Sequence, residues 1–166
     1  MSSDLAREVV EGLKDAGVSF VCILPDSRLV DVYDSATADP ALQVVSCANE
    51  WEGVTIAAGA WLGGKKSAMV MENSGLRVAS EPLARLGHTN GLPVLLIMSY
   101  RGDMGDRMSW STSMAWTTEP MLKALRIPYL VVREVEEIRG AIRNAQRTLV
   151  ASQFHTAVLL GGDMIW

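Results

Sequence analysis

The segment Leu42-Gln43-Val44-Val45-Ser46-Cys47, then Ala48-Asn49, then Glu50-Trp51-Glu52-Gly53-Val54-Thr55-Ile56-Ala57-Ala58-Gly59-Ala60-Trp61-Leu62, closed by Gly63-Gly64, holds the fold in miniature. Its first part, rich in β-branched and apolar side chains, predicts a buried strand. Its second part predicts a helix that ends at the paired glycines. A strand that turns into a helix within two residues is half of a β-α-β crossover, the unit of parallel sheets.

The same alternation extends both ways along the chain. Upstream, Leu5, Val9, Leu13 and Ala16 recur at helical spacing up to Gly17, and residues 18–24 form an apolar run stopped by Pro25 and Asp26. A short helix is expected around 28–36. Downstream, strands are expected at 67–71, 94–99, 128–132 and 156–160, with helices near 77–86 and 112–125 between them. A last long helix carries Val135, Ile138, Ile142, Ala145 and Leu149 on one face. Strands that are apolar without alternation, separated by amphipathic helices, predict a three-layer α/β/α fold with a mostly parallel six-stranded sheet. With 166 residues and no linker, repeat or low-complexity tract, a single domain over 1–166 is expected.

Composition narrows the function classes. With 49% hydrophobic and 20% charged residues, the chain reads as an ordinary globular protein. A net charge of −4 argues against nucleic acid or an anionic membrane as partner. No apolar run approaches the roughly 20 residues of a membrane helix, and residues 1–15 are too polar for a secretory signal. Cys22 and Cys47 each sit inside an apolar run and are expected as buried thiols in a reducing compartment, so the cytoplasm is the expected location.

Ligands of open parallel sheets bind beyond the carboxyl ends of the strands. That rule selects four loops: Pro25-Asp26-Ser27, Ala48-Asn49-Glu50, Glu72-Asn73-Ser74-Gly75 and Tyr100-Arg101-Gly102-Asp103. Glu50 opens a helix straight after a strand, where a carboxylate is also favoured simply by the helix dipole. Glu52 is its rival. The Gly and Ala content of the same helix predicts close packing against another element or a partner subunit. Asn73-Ser74-Gly75 offers small hydroxyl and backbone amide groups, though a plain turn has the same composition. No GxGxxG follows the first strand and no GxxxxGK[ST] occurs, so the two common nucleotide motifs are absent. Arg101 and Arg107 suit a substrate carboxylate, or are solvated loop cations. His88 and His155 are expected to be structural.

Taken together, Leu24-Pro25-Asp26-Ser27, Asn49-Glu50-Trp51-Glu52-Gly53 with Ala57-Ala58-Gly59-Ala60, Glu72-Asn73-Ser74-Gly75-Leu76, and Pro93-Val94-Leu95-Leu96-Ile97 with Arg101-Gly102 resemble the pyrimidine-binding domain of thiamine-diphosphate-dependent decarboxylases. The resemblance is closest to sulfopyruvate decarboxylase α subunits and phosphonopyruvate decarboxylase, and covers nearly the whole chain. It implies that Glu50 is catalytic, its carboxyl group bonding N1′ of the cofactor's aminopyrimidine. It implies cofactor contacts from Glu50, Asn73, Ser74 and Gly75, and substrate contacts from Asp26, Ser27 and Arg101. Magnesium and the diphosphate are held in such enzymes by a GDG motif with a downstream Asn. Here Gly102-Asp103-Met104 and Gly162-Asp163-Met164 lack the third glycine. The resemblance therefore implies a separate diphosphate-binding subunit carrying GDG and Asn, in an α2β2 or larger assembly acting on a 2-oxo acid. Within residues 101–110 the histidine usual in the relatives is absent. Decarboxylation and carboligation use the same carbanion and are not separated by sequence. The alternative class is a non-catalytic regulatory or scaffolding subunit that keeps the fold.

Overall fold

The apolar runs become strands and the 3.6-period stripes become helices. The structure, a computed structural model, describes residues 2–165, with side chains from residue 4 onward. The elements are α1 (Ser2–Asp15), β1 (Phe20–Ile23), α2 (Val30–Ala38), β2 (Gln43–Ser46), α3 (Glu50–Leu62), β3 (Ser67–Glu72), α4 (Leu76–Leu83), β4 (Leu95–Ser99), α5 (Thr112–Ala124), β5 (Tyr129–Val132), α6 (Ile138–Ser152) and β6 (Thr156–Leu160). All six strands are parallel, in the order β2-β1-β3-β4-β6-β5.

The central strands are buried on both faces, as runs without alternation require. One face of the sheet packs under α1, α2 and α6 through Val9, Leu13, Val32 and Ile142. The other packs under α3, α4 and α5 through Val54, Ala57, Ala79 and Leu122. Burial of a side chain such as Leu95 or Ile97 contributes roughly 2 kcal/mol. The edge strands differ from the expectation of full cover: Gln43 and Ser46 of β2 and Leu130 of β5 are exposed.

Two further differences have local causes. The helix expected over 77–86 is α-helical only to Leu83 and continues as a π-helix over Ala84–Thr89. Pro82 inside α4 has no N–H to donate, which favours a change of hydrogen-bond pattern at this point. The last long helix begins at Ile138, after a 3₁₀ turn at Val135–Glu137.

The topology creates a crevice. From β1 the chain passes by α2 on one face to β2 at the edge; it returns by α3 on the opposite face to β3, beside β1. The loops leaving β1 and β3 thus diverge to opposite faces, and the gap between their carboxyl ends is a topological switch point.

Candidate functional site at the carboxyl edge of the sheet

At the end of β2, the turn into α3 sorts the two rival carboxylates. Asn49 is the N-cap, and its Oδ1 accepts from the Glu52 N–H at 3.0 Å. Glu52 reaches back, its Oε2 accepting from the Ala48 N–H at 2.6 Å. This reciprocal pair is a form of capping box, which occupies Glu52 with helix initiation. Glu50, half-buried, has no hydrogen bond or ion pair from its side chain among the described residues.

Glu50 lies instead on Gly75, in the 3₁₀ turn Asn73–Gly75 that follows β3. A Cβ placed on Gly75 would stand 2.3 Å from Glu50 Cγ and 2.5 Å from its Oε1. Only glycine leaves room for the carboxyl group there. Gly53, one turn further along α3, has the same role toward the sheet: a Cβ on it would meet Met69 Sδ at 2.4 Å. The close packing expected from the composition of α3 is therefore real at Gly53. Gly59 has nothing within 4 Å, and in the same helix Trp51 is 51% and Leu62 70% exposed.

Asn73 is buried and faces inward. Its Nδ2 donates to the Arg101 carbonyl and to Thr118 Oγ1, each at 2.9 Å, and its Oδ1 accepts from the Arg101 N–H at 3.1 Å. Its amide ties the turn after β3 to the end of β4 and to α5. Ser74, half-buried, donates its hydroxyl to Glu72 Oε1. At the end of β1, Asp26 Oδ1 accepts from the Arg28 N–H at 3.1 Å, while its Oδ2 accepts from the Ser99 hydroxyl. Ser99 is the last residue of β4, so this bond spans the end of β3. Ser27 is exposed beside it.

Arg101 is not a solvated loop cation. It is 1% exposed, its Nε donates to Asp106 at 3.2 Å, and its guanidinium lies 4.6 Å from the centre of the Trp110 ring. Glu72 stands 3.8 Å from its Nη1. Asp106 is the hub of the loop, accepting also from the Gly102 N–H at 2.7 Å, Ser111 Oγ at 2.6 Å and the Met108 N–H at 2.9 Å. Burial pushes the Asp106 carboxyl up, but the donors from Ser111, Met108, Gly102 and Arg101 outweigh it and hold the group at about 2. Gly102, at φ +80°, lets the chain cross the Ser111 carbonyl, which a Cβ would meet at 2.2 Å. Arg107 is exposed on the same loop, as are Met104, Met108 and Trp110.

The two histidines are structural. His155 is buried; its Nδ1 accepts from the Val94 N–H and its Nε2 donates to the Leu83 carbonyl, both at 2.9 Å. Burial pulls its pKa down to about 4. His88 meets the Leu125 carbonyl at 2.9 Å and packs at a tilt against the Phe154 ring. Cys22 and Cys47 are free and buried, and burial raises the Cys22 thiol to about 12.

The site thus brings Glu50, Gly75, Ser74, Glu72, Asp26 and Ser27 to one edge and turns Asn73 and Arg101 into its supports. Sequence reading had not singled out Ser99, Thr118 or Asp106. The Asn49-x-x-Glu52 spacing is the one local signal that separates Glu52 from Glu50 in advance.

A parallel sheet whose carboxyl edge carries a carboxyl group set against a glycine turn has the layout of a ligand-binding domain. Residues 3–108 match the family described as thiamine pyrophosphate enzyme, N-terminal TPP binding domain, and the chain belongs to this family. It is 35% identical over 160 residues to sulfopyruvate decarboxylase subunit alpha of Methanothermobacter thermautotrophicus, covering 96% of this chain and 97% of that one. It is 31% identical over 155 residues to the same subunit of Methanococcus maripaludis, covering 93% of each. Phosphonopyruvate decarboxylase of Streptomyces viridochromogenes is 35% identical over 102 residues, 61% of this chain but 26% of that enzyme. Among solved structures, 2-oxoglutarate:ferredoxin oxidoreductase from Magnetococcus marinus superposes with a TM-score of 0.76 at 20% identity, over all of this chain and 30% of that one. This last likeness is one of fold.

Proposed function

We propose that this chain is the pyrimidine-binding α subunit of a two-chain, thiamine-diphosphate-dependent 2-oxo acid decarboxylase, with sulfopyruvate as its substrate. The observation that carries the reading is Glu50: a half-buried carboxyl group with no partner among the described residues, held on the one residue type that leaves it room. A scaffolding subunit has no use for such a group. When bound, the cofactor supplies the electron sink that lets a 2-oxo acid release carbon dioxide.

The chain's own residues then have separate tasks. Glu50, whose carboxyl group has no other partner among the described residues, would meet the pyrimidine ring nitrogen and serve proton transfer there. The Ser74-Gly75 turn, positioned by the buried Asn73, would help to hold the cofactor beside Glu50. Asp26, held by Ser99, and the exposed Ser27 face the substrate. Arg101 orders the loop, and Arg107 is the exposed loop cation available to a substrate anion.

Among the described residues no three His, Cys, Asp or Glu side chains gather to hold a metal ion. In this reading magnesium and the diphosphate belong with a separate subunit bearing GDG and a downstream Asn, in an α2β2 or larger assembly. The naming of the relatives as alpha subunits supports a partner. The exposed Trp51 and Leu62 of α3, and Met104, Met108 and Trp110 of the loop, suit its interface. No helix among the described residues is long and apolar enough to cross a membrane. The buried free thiols fit the cytoplasm.

The test is to purify the chain, a GDG-bearing partner and their mixture, and to measure thiamine-diphosphate binding and carbon dioxide release from sulfopyruvate. Both activities are expected only in the mixture. Tight cofactor binding by this chain alone would overturn the shared site, and a mixture inert on sulfopyruvate but active on another 2-oxo acid would overturn the substrate.

A further inference from the structure

β5 is one edge of the sheet, and the pairing on its inner side shows which backbone groups face outward. The Ala157 N–H donates to the Pro128 carbonyl at 3.0 Å, and the Gly161 N–H to the Val132 carbonyl at 2.9 Å. Successive residues of a strand turn their backbone groups to opposite sides, so Pro128, Leu130 and Val132 face β6. Tyr129 and Val131 therefore turn N–H and C=O outward, and no hydrogen bond among the described residues takes these groups. The open run stops on both sides. The Ile127 N–H is taken by the Leu122 carbonyl at 2.8 Å, and the Arg133 carbonyl lies against Gly162, 3.4 Å from the place of a Cβ there.

Proteins commonly blunt an exposed edge with polar or charged side chains. The other edge strand, β2, begins and ends on the exposed Gln43 and Ser46, and Lys65 Nζ donates to Gln43 Oε1 at 2.6 Å. The run Tyr129-Leu130-Val131-Val132 carries no charge. Leu130 is 42% exposed, beside a cleft of about 210 Å³ lined by Pro128, Asn144, Ala145 and Thr148.

Two identical strands related by a two-fold axis run antiparallel. When each offers only Tyr129 and Val131, one register matches all the open groups: Tyr129 of one copy opposite Val131 of the other. That register exchanges about four backbone hydrogen bonds and sets Leu130 against Leu130 at a non-hydrogen-bonded position, where facing side chains are closest. Continued past the strand ends, it runs Arg126 toward Glu134 of the other copy. Both are exposed, and neither has an ion pair among the described residues. The edge is complementary to itself in hydrogen bonding, apolar contact and charge.

We infer that two copies of this chain join through β5, antiparallel about a two-fold axis at Leu130, into one continuous sheet. The inference does not depend on the decarboxylase reading: β4 and β6 separate β5 from the switch point, so the carboxyl-edge site stays open to its own subunit.

Sedimentation of the full chain over a concentration series tests it. The mass is expected to rise from that of one chain to that of two, while the Val131 amide becomes protected from hydrogen exchange. Leu130→Lys sets like charges opposite each other and should weaken dimerisation at least about ten-fold. Arg126→Glu should weaken it too, and adding Glu134→Arg should restore it, which a mere effect on folding would not do. A chain that stays a monomer, or a dimer indifferent to Leu130→Lys and Arg126→Glu, would overturn the pairing. So would protection of Val131 that arises only when a GDG-bearing subunit is added, which would give the edge to that subunit.

Discussion

The Glu50 side chain occupies the space in which a Cβ of Gly75 would sit, 2.3 Å from Glu50 Cγ. A carboxyl group at the head of α3 is thus positioned by the turn after β3, two elements that meet only in the folded chain. Gly75→Ala should push Glu50 off its position with little effect on the sheet, because the added methyl meets a side chain and not the backbone. We expect kcat of the assembled enzyme to fall at least ten-fold, a loss of about 1.4 kcal/mol of transition-state stabilisation, with the far-ultraviolet spectrum unchanged. Steady-state kinetics on the complex checks this; full activity would mean that the contact is incidental.

Glu50 and Glu52 should separate cleanly. Glu50→Gln removes a proton-holding group that has no structural partner, so turnover should drop by orders of magnitude while stability and assembly persist. Glu52→Gln weakens the back-bond to the Ala48 N–H, so stability should fall by about 1 kcal/mol while turnover survives. Urea denaturation paired with turnover measurements distinguishes the two; similar turnover losses in both would remove the special status of Glu50.

Much of this was legible in the sequence because periodicity is a local property. The strand runs and the 50–62 helix lie where their apolar spacing predicts, and the four loops selected from the sequence do leave the carboxyl ends of β1, β2, β3 and β4. The edge position of β2 was not legible, since its Val44-Val45 core reads like that of a central strand; only pairing shows that it has one neighbour. The Asp26–Ser99 bond joins residues 73 apart, and nothing local in either announces it. Arg101 illustrates the same gap: a cation in a polar loop reads as solvated until the chain folds Asp106 and Trp110 over it.

That cover should depend on Asp106. Its Oδ2 accepts from Arg101, Gly102 and Ser111 together, so Asp106→Asn leaves a buried guanidinium without its close carboxylate. Breaking a buried pair from one side typically costs about 3–5 kcal/mol. Because the loss is confined to one loop, we expect it as local opening: trypsin should cut after the exposed Arg107 many times faster than in the wild type, with Trp110 fluorescence shifted to the red. Equal cleavage rates would show that the loop is ordered by something other than this hub.

The acid side of the stability curve should show an upper window set by His155 and a lower one to which Asp106 contributes. His155 is held neutral, its folded pKa near 4 against 6.5 in a free chain. Above pH 6.5 neither state binds the proton; as pH falls from 6.5 to about 4 only the unfolded chain takes it up, and roughly 3 kcal/mol of stability is lost. Asp106 has a depressed folded pKa of about 2, so its contribution is complete above about pH 4 and is lost between about 4 and 2, on the order of 2 kcal/mol. His155→Gln keeps a donor and an acceptor for Leu83 and Val94 but does not titrate, so it should flatten the upper window and leave the lower one. Asp106→Asn should leave the upper window and shrink the lower one, part of which stays with Glu8, Asp39 and Glu119, whose carboxyl groups are also held low by hydrogen bonds. Urea denaturation at half-unit pH steps resolves both, and an upper window that persists in His155→Gln would assign the loss to another group.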